Sequence, residues 1–161
     1  MKIGFGGGCH WCTEAVFKAV NGVHNVRQGY ISAKKSPDQF FEGIILEYNP
    51  ELVKLEDLIL IHLKTHQSMK DHSMRHKYRS AVYVFHKMDL EKTSKALKII
   101  SNSIGAKIVT KVLELESFVE SRPEIRNYYQ TDPQRPFCTR YIKPKLDLLF
   151  KEFKGLLEEQ C

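Results

Sequence analysis

The sequence predicts an α+β fold: a two-layer sandwich of the split βαβ (ferredoxin-like) type, with a mainly antiparallel sheet and extra C-terminal helices. The candidate elements follow one another as strand, helix, strand, strand, helix, strand, helix, strand and then helical segments. The strand candidates are rich in β-branched and aromatic residues, whereas the helix candidates repeat apolar residues every three or four positions. No repeat, low-complexity tract or linker interrupts the 161 residues, so we expect one domain over residues 1–161.

Each element has its own local signal. Residues 2–5 predict a short strand that runs into three glycines, and an apolar face predicts a helix over 12–20 that Asn21-Gly22 ends. The same criteria predict strands over 23–31 and 40–48, a helix over 55–63, a strand over 81–85, a helix over 90–100, a strand over 108–115, a short helix over 123–130 and an amphipathic helix over 146–157.

Composition and charge argue against several classes of protein. With 42% hydrophobic and 27% charged residues, the chain can bury a core. No apolar run approaches the roughly 18 residues of a membrane span, and residues 1–9 are too short and glycine-rich for a signal peptide. We therefore expect a soluble, cytoplasmic protein with no membrane partner. The net charge of +6 is densest over 64–79, where Tyr78 is the lone aromatic residue, so we expect no nucleic-acid partner.

The four cysteines indicate catalysis or metal binding rather than structural disulfides, because a domain of this size in a reducing compartment does not need such bridges. Cys9 and Cys12 form a Cys-x-x-Cys pair, but Cys138 and Cys161 are separated by 22 residues. A zinc site of two such pairs is therefore not predicted. We expect no metal and no cofactor; zinc held by cysteine with histidine stays the alternative.

Cys9 is the strongest candidate for a reactive residue. It follows Gly6-Gly7-Gly8 at the turn from the first strand to the first helix. Three glycines allow a tight turn that leaves the next side chain open to solvent. At the start of a helix, unpaired N–H groups and the positive end of the dipole favour a thiolate over a thiol. The sequence thus predicts a nucleophilic cysteine at position 9.

Around this cysteine the chain resembles the A-type peptide methionine sulfoxide reductases. The likeness begins at Gly8-Cys9-His10-Trp11-Cys12-Thr13-Glu14-Ala15 and continues, in the family's order, at Gly29-Tyr30, Phe41-Glu42, Tyr48-Asn49-Pro50, Lys77-Tyr78-Arg79-Ser80-Ala81, Tyr129-Gln130 and Phe137-Cys138. Two positions depart from the family: His10 replaces a phenylalanine, and Ser73 replaces an aspartate in the divergent segment before Tyr78.

The resemblance implies the reduction of methionine S-sulfoxide, free or in proteins, to methionine. It implies thiolate attack by Cys9 on the sulfoxide sulfur, with Glu42 as the acid, which apolar neighbours would keep protonated. Tyr30 and Tyr78 would donate hydrogen bonds to the sulfoxide oxygen, while His10 and Trp11 would form walls of the substrate pocket.

The resemblance also implies how the enzyme is regenerated. The sulfenic acid on Cys9 would condense with a second thiol to a disulfide, which thioredoxin would then reduce. Cys138 is the family-matched resolving thiol, and its Arg135-Pro136-Phe137 neighbours indicate a loop able to swing. Cys12 is the alternative resolving thiol, and the terminal Cys161 is a possible relay.

Two other functions stay open at this point. The altered segment around Ser73 would suit a binding module of the same fold that has lost catalysis. The Cys9–Cys12 pair would suit a thiol–disulfide oxidoreductase.

A histidine cluster lies in the basic stretch. His62 and His66, and likewise His72 and His76, are four residues apart, a spacing at which two imidazoles can share a metal. We interpret them instead as a solvated basic face with His62 partly packed.

Overall fold

The computed structural model describes residues 1–66, 79–105 and 108–157 of the chain. Within these residues, five strands and five α-helices follow one another in the predicted order. They are β1 (Lys2–Gly6), α1 (His10–Lys18), β2 (Val23–Ala33), β3 (Ser36–Tyr48), α2 (Leu55–Thr65), β4 (Ala81–Val84), α3 (Asp89–Ile104), β5 (Lys111–Glu120), α4 (Tyr128–Thr131) and α5 (Lys143–Glu152). A π-helical turn, Cys138–Ile142, leads directly into α5.

The sheet is mainly antiparallel, as predicted, but it closes on itself. β1 lies between β3 and β4, β3 pairs with β2, and β2 pairs with β5, all in antiparallel register. β5 then pairs with β4 in parallel and completes the ring. The mixed α and β content predicted from the sequence is confirmed, and closure of the sheet through β5 is a feature that the sequence did not predict.

The sheet closes because the two halves of β5 pair with different strands. Residues 111–114 pair with β4, and residues 115–120 pair with β2. The sequence pattern predicted a strand only to residue 115, because the last five positions mix polar and apolar residues without a buried face. Strand pairing satisfies their backbone groups regardless of this pattern.

Other boundaries also shift where tertiary pairing overrides the local pattern. β2 and β3 extend to Ala33 and Ser36, which face each other in the register, so the predicted turn over 32–39 shrinks to two lysines. The predicted helix over 123–130 is divided into a 3₁₀ turn and α4, since Asn127 between them takes a left-handed φ of 52°.

The main core lies between the sheet and α1, α2 and α5. The rings of Phe5 on β1 and Phe17 on α1 are fully buried and stack with their centroids 4.7 Å apart. Burial of such a side chain contributes about 1.5–3 kcal/mol. This contact fixes α1 against β1 and so holds the turn that carries Cys9. Within the described residues, no helix has the length and apolar character needed to cross a membrane.

Candidate active site

The glycine turn before α1 lies directly over a buried histidine. Gly7 has a φ of 137°, and a Cβ atom there would lie 2.5 Å from the ring of His66. That ring is held by a 2.8 Å hydrogen bond to Ser80 Oγ, which is itself 2.6 Å from Thr110 Oγ1. A glycine is therefore required at position 7 both by the backbone conformation and by the close approach of His66.

His62 and His66 are both buried, so the predicted packing of His62 is confirmed, whereas the predicted solvated position of His66 is wrong. Their side chains are 1% and 6% exposed, and their rings stack with centroids 3.8 Å apart. The reason is that this side of α2 packs against the Phe5 ring, 4.8 Å from that of His62. Burial holds the pKa of His62 well below its usual range, and repulsion from His66 adds to this. His72 and His76 lie outside the described residues.

The thiol of Cys9 has a lowered pKa at the N-cap of α1. The largest cause is the hydrogen bond that the Cys12 thiol donates to it, followed by the backbone N–H groups of Trp11 and Cys12; burial and the negative charge of Glu42 oppose the shift. The pKa is lowered in the direction that a helix start favours, but a side chain one turn along the helix contributes more to this shift than the backbone does.

Cys12 is held as a thiol. Its pKa is raised because its proton is engaged with Cys9, and burial adds to the effect. Lys145 on α5 lies close to this pair: burial lowers the pKa of its ammonium group, and its interactions with Cys12 and Cys9 oppose that shift. The ammonium of Lys145 also donates a hydrogen bond to the backbone oxygen of Thr65.

Glu42 lies on the same side of the sheet as Cys9. His10, the residue that follows Cys9 in the chain, contacts Glu42 directly. Glu42 Oε1 is 3.3 Å from His10 Nε2, and the side chains are 13% and 2% exposed. His10 Nδ1 is 3.1 Å from the backbone oxygen of Gly29 on β2. The register opposes Tyr30 to Glu42 and Gly29 to Gly43, so the two strands present these groups to α1 together.

Buried polar contacts fix α1 over these strands. Gln28 Nε2 donates to Glu14 Oε1 at 3.1 Å and to the backbone oxygen of Ile125 at 2.9 Å. Glu14 is 2% exposed and Gln28 is fully buried. Buried amide and carboxylate groups are costly when unpaired, so this contact strongly favours one position of α1 on β2.

Aromatic rings surround the site on two sides. Tyr30 is 37% exposed, and its ring meets that of His10 edge-on with centroids 5.4 Å apart. Trp11 stacks on Tyr128 with centroids 4.0 Å apart and an interplanar angle of 4°, and Phe137 meets it edge-on at 5.3 Å. Trp11 was predicted to form a wall of the substrate pocket, and Tyr128 covers one face of its ring.

Cys138 does not lie on a loop, contrary to the sequence interpretation. It opens the π-helical turn before α5, is fully buried, and has a pKa raised by that burial. Its helical neighbours pack it into the main core, which also contains Cys12. Cys9, Cys12 and Cys138 are free thiols. Tyr78 and Cys161, and the divergent position Ser73, lie outside the described residues.

Two residues close to the site, Lys145 and Tyr128, were not predicted from the sequence. The signal for Lys145 was available, because it shares a helical side with the buried residues Ile142 and Leu149 at spacings of three and four. A lysine among apolar positions indicates a charge with a function. Tyr128 had no comparable signal. Within the described ranges no three His, Cys, Asp or Glu side chains lie close enough together to hold a metal ion.

The chain is similar to known proteins along most of its length. Residues 1–155 match the sequence model of a family described as peptide methionine sulfoxide reductase. The chain belongs to this family. It is 30% identical to the peptide methionine sulfoxide reductase MsrA of Nautilia profundicola, over 93% of this chain and 94% of that one. It is 29% identical to the MsrA of Sulfolobus acidocaldarius, over 92% of each chain.

The fold is also that of solved reductase structures. The reduced form of Mxr1 from Saccharomyces cerevisiae superposes with a TM-score of 0.68 and 21% identity, over 83% of this chain and 86% of that one. Mxr1 in complex with Trx2 gives a TM-score of 0.57 and 20% identity, over 80% and 84% of the two chains. The resemblance to the methionine sulfoxide reductase family found in the sequence is therefore confirmed.

Proposed function

We propose that this protein reduces methionine S-sulfoxide, free or in proteins, to methionine, with Cys9 as the nucleophile. The observation that carries the proposal is that a thiol of lowered pKa and a largely buried carboxyl, Glu42, lie on the same side of the sheet. A soft nucleophile and a proton source are what the reduction of a sulfoxide requires.

In the first step, the Cys9 thiolate reacts with the sulfoxide sulfur, and the sulfoxide oxygen passes to Cys9. The sulfur of the substrate gains two electrons and leaves as a thioether, while Cys9 loses two and becomes a sulfenic acid. The oxygen takes up one proton in this step. Glu42 supplies it, since its carboxyl lies 3.3 Å from the ring of His10, the residue that follows Cys9.

Hydrogen-bond donors stabilise the charge that grows on the oxygen. Tyr30 is suited to this role because it faces Glu42 across the β2–β3 register and keeps part of its side chain exposed. Tyr78 has the same role by its match to the family motif. The flat rings of His10 and Trp11, the two residues that follow Cys9 at the start of α1, form the walls for the substrate methyl group.

In the second step, Cys138 condenses with the sulfenic acid, forming a disulfide and releasing water. Its position near Cys12 supports it as the resolving thiol, with Cys12 as the alternative. The turn that holds Cys138 must open for its sulfur to reach Cys9, since it is fully buried. Thioredoxin then reduces the disulfide, with Cys161 as a possible relay; the Mxr1 structure with Trx2 supports this reductant.

For the architecture, we propose that β1 to β4 with α1 and α2 form a split βαβ core of ferredoxin-like type, to which β5 is added. The antiparallel order β4-β1-β3-β2 supports this description. A single domain over residues 1–161 and a cytoplasmic location stay predictions.

The function is tested with a peptide that contains methionine S-sulfoxide and with dithiothreitol, which replaces the cellular reductant. Wild type and Cys12→Ser should form methionine, whereas Cys9→Ser should not, because serine cannot take up the oxygen. The R epimer and free methionine sulfoxide serve as parallel substrates. Unchanged turnover in Cys9→Ser would contradict the proposal.

The hydrogen bond from Cys12 to Cys9 also favours a second candidate, a thiol–disulfide oxidoreductase. That function predicts reduction of insulin disulfides that is lost in Cys12→Ser. A protein that reduces insulin but leaves methionine sulfoxide intact would select it. A non-catalytic binding module would do neither.

A further inference from the structure

His10 is clamped between two oxygen atoms that come from different strands. Its Nδ1 lies 3.1 Å from the backbone oxygen of Gly29 on β2. Its Nε2 lies 3.3 Å from Glu42 Oε1 on β3, and the imidazole is 2% exposed. Water therefore has almost no access to the ring, and its two protein partners determine which nitrogen carries a proton.

The chemistry of these partners restricts the proton count. A backbone carbonyl can only accept, so Nδ1 carries a hydrogen and donates it to Gly29. In a neutral imidazole Nε2 then has a lone pair, and an ionised carboxylate oxygen also has only lone pairs. The contact between His10 and Glu42 is attractive only when one proton lies between them, on Nε2 or on Oε1.

The second carboxyl oxygen of Glu42 is available for chemistry. Glu42 Oε2 is buried and has no hydrogen-bond partner among the described residues. A buried carboxyl oxygen without a partner is costly in an isolated protein and is satisfied once a ligand brings a donor or an acceptor. His10 follows Cys9 at the start of α1 and its ring lies 3.3 Å from Glu42 Oε1, so a substrate at Cys9 would lie beside this carboxyl.

We propose that His10 and Glu42 share a single proton and that this is the proton delivered to the sulfoxide oxygen, with His10 as the positioning residue that retains it. The inference rests on the proposed function and deepens it. In the step, the Cys9 thiolate, the sulfoxide and the shared proton yield the Cys9 sulfenic acid and the thioether. The His10–Glu42 pair is left as neutral imidazole and carboxylate and regains its proton from solvent.

The shared proton also resolves a conflict between two requirements of the site. A bare carboxylate at Glu42 would oppose the ionisation of Cys9. With one proton between them, His10 and Glu42 are neutral as a pair and no longer repel the thiolate. The same arrangement therefore permits an ionised nucleophile beside a protonated acid.

The other ionisable groups around the pair are few among the described residues. On α1, which carries His10, Glu14 lies one turn further along the helix than His10 and is bound by Gln28 and Lys18. Across the strands stands Tyr30. Further groups are Cys12 and Lys145 beside Cys9, and Arg79, whose guanidinium stacks on the neighbouring Phe41 ring at 4.3 Å.

The pair is tested directly by ¹⁵N NMR titration of the histidine rings. Glu42→Gln should move the midpoint of the His10 titration to lower pH by about 1–3 units, because the imidazolium loses an opposite charge at close range. His24 provides the matched control within the same chain: its Nε2 lies 3.7 Å from Glu47 Oε2, but its side chain is 57% exposed. Glu47→Gln should move His24 by only a few tenths of a unit.

The delivery of the proton is tested by single-turnover reduction of the sulfoxide peptide as a function of pH. In His10→Phe, which restores the residue of the family, Glu42 must hold the proton alone. The alkaline limb of the rate profile should therefore move to lower pH by about one unit or more, while the limb in Glu47→Gln stays at its wild-type position.

The outcomes separate the two proposals. A His10 midpoint that Glu42→Gln leaves unchanged, or an alkaline limb at the same pH in wild type and His10→Phe, would overturn the shared proton even if the enzyme is active. Absence of any reduction by the wild-type protein would instead overturn the proposed function and leave the NMR result as evidence for the pair alone.

Discussion

Two cysteines stand at the start of helical segments in this protein, yet their pKa values shift in opposite directions. Cys9 caps α1 and its pKa is lowered. Cys138 opens the turn that leads into α5 and its pKa is raised. A helix start is therefore not sufficient to activate a thiol. The difference lies in the donors: Cys9 accepts a hydrogen bond from Cys12, whereas burial in the core dominates at Cys138.

The largest effects are expected when the sulfur of Cys9 or of Cys138 is removed by substitution with serine. With dithiothreitol, Cys9→Ser should lose roughly a thousandfold or more of the wild-type rate, since no other group accepts the oxygen. Cys138→Ser should keep its rate with dithiothreitol and lose it with thioredoxin, because the sulfenic acid is then left without its resolving thiol. Steady-state methionine formation with each reductant measures both. Equal loss in the two variants with dithiothreitol would contradict the assigned roles.

The next prediction concerns the donor that distinguishes the two thiols. Cys12→Ala removes the hydrogen bond to Cys9, so the pKa of Cys9 should rise by about 1–2 units. The pH dependence of iodoacetamide labelling at Cys9 measures this, with the sites resolved by mass spectrometry. Cys138→Ala is the control and should leave the labelling curve of Cys9 in place. A curve that does not move in Cys12→Ala would show that the backbone N–H groups suffice.

A smaller effect is expected from the lysine that approaches Cys9 from α5. Lys145→Met should raise the pKa of Cys9 by up to about one unit, because a positive charge near the thiolate is lost. The exposed Lys143→Met on the same helix is the control. If Lys145→Met leaves the pH dependence of Cys9 labelling unchanged, the charge of Lys145 does not affect the pKa of Cys9.

Lys145→Met should also change the stability of the protein, increasing it at pH 7. Burial lowers the pKa of Lys145, so the folded state disfavours its charged form below the ordinary lysine pKa. The free energy of unfolding of Lys145→Met should therefore exceed that of wild type at pH 7, and the gain should shrink as the pH approaches about 10.4, where the unfolded chain also loses the proton. Urea unfolding at both pH values measures it; a loss of stability at pH 7 would contradict it.

The smallest effect is expected for His62, beneath the glycine turn, and concerns the dependence of stability on pH. The pKa of His62 is lowered by burial, so protons bind the unfolded chain more readily, and wild-type stability should fall as the pH drops below about 6.5. His62→Phe should remove about 1–2 kcal/mol of that loss between pH 7 and pH 5. Urea unfolding across this range measures it, with the exposed His24→Phe as the control. Equal acid sensitivity in both variants would count against the role of His62.

Much of the Cys9 region could be predicted from the sequence. Three glycines and a following amphipathic helix act over fewer than ten residues, so the tight turn and the capping thiol follow from local chemistry. The prediction that this turn leaves Cys9 open to solvent is wrong, because Gly6 and Gly7 are buried and Cys9 is half-buried. The Cys138 region could not be predicted in this way. Its short segment reads as a loop, but packing against α1 and α5 makes it helical and buries its thiol.

The amino-acid sequence by itself determined the order of the elements, the family to which the chain belongs and the cysteine at the strand-to-helix turn, because these depend on neighbours along the chain. Only the tertiary structure decided that β5 closes the sheet, that His10 meets Glu42, and that Lys145 approaches Cys9. Each of these contacts joins residues that are at least 32 positions apart or depends on strand register, and no local pattern records which distant partner a side chain will meet.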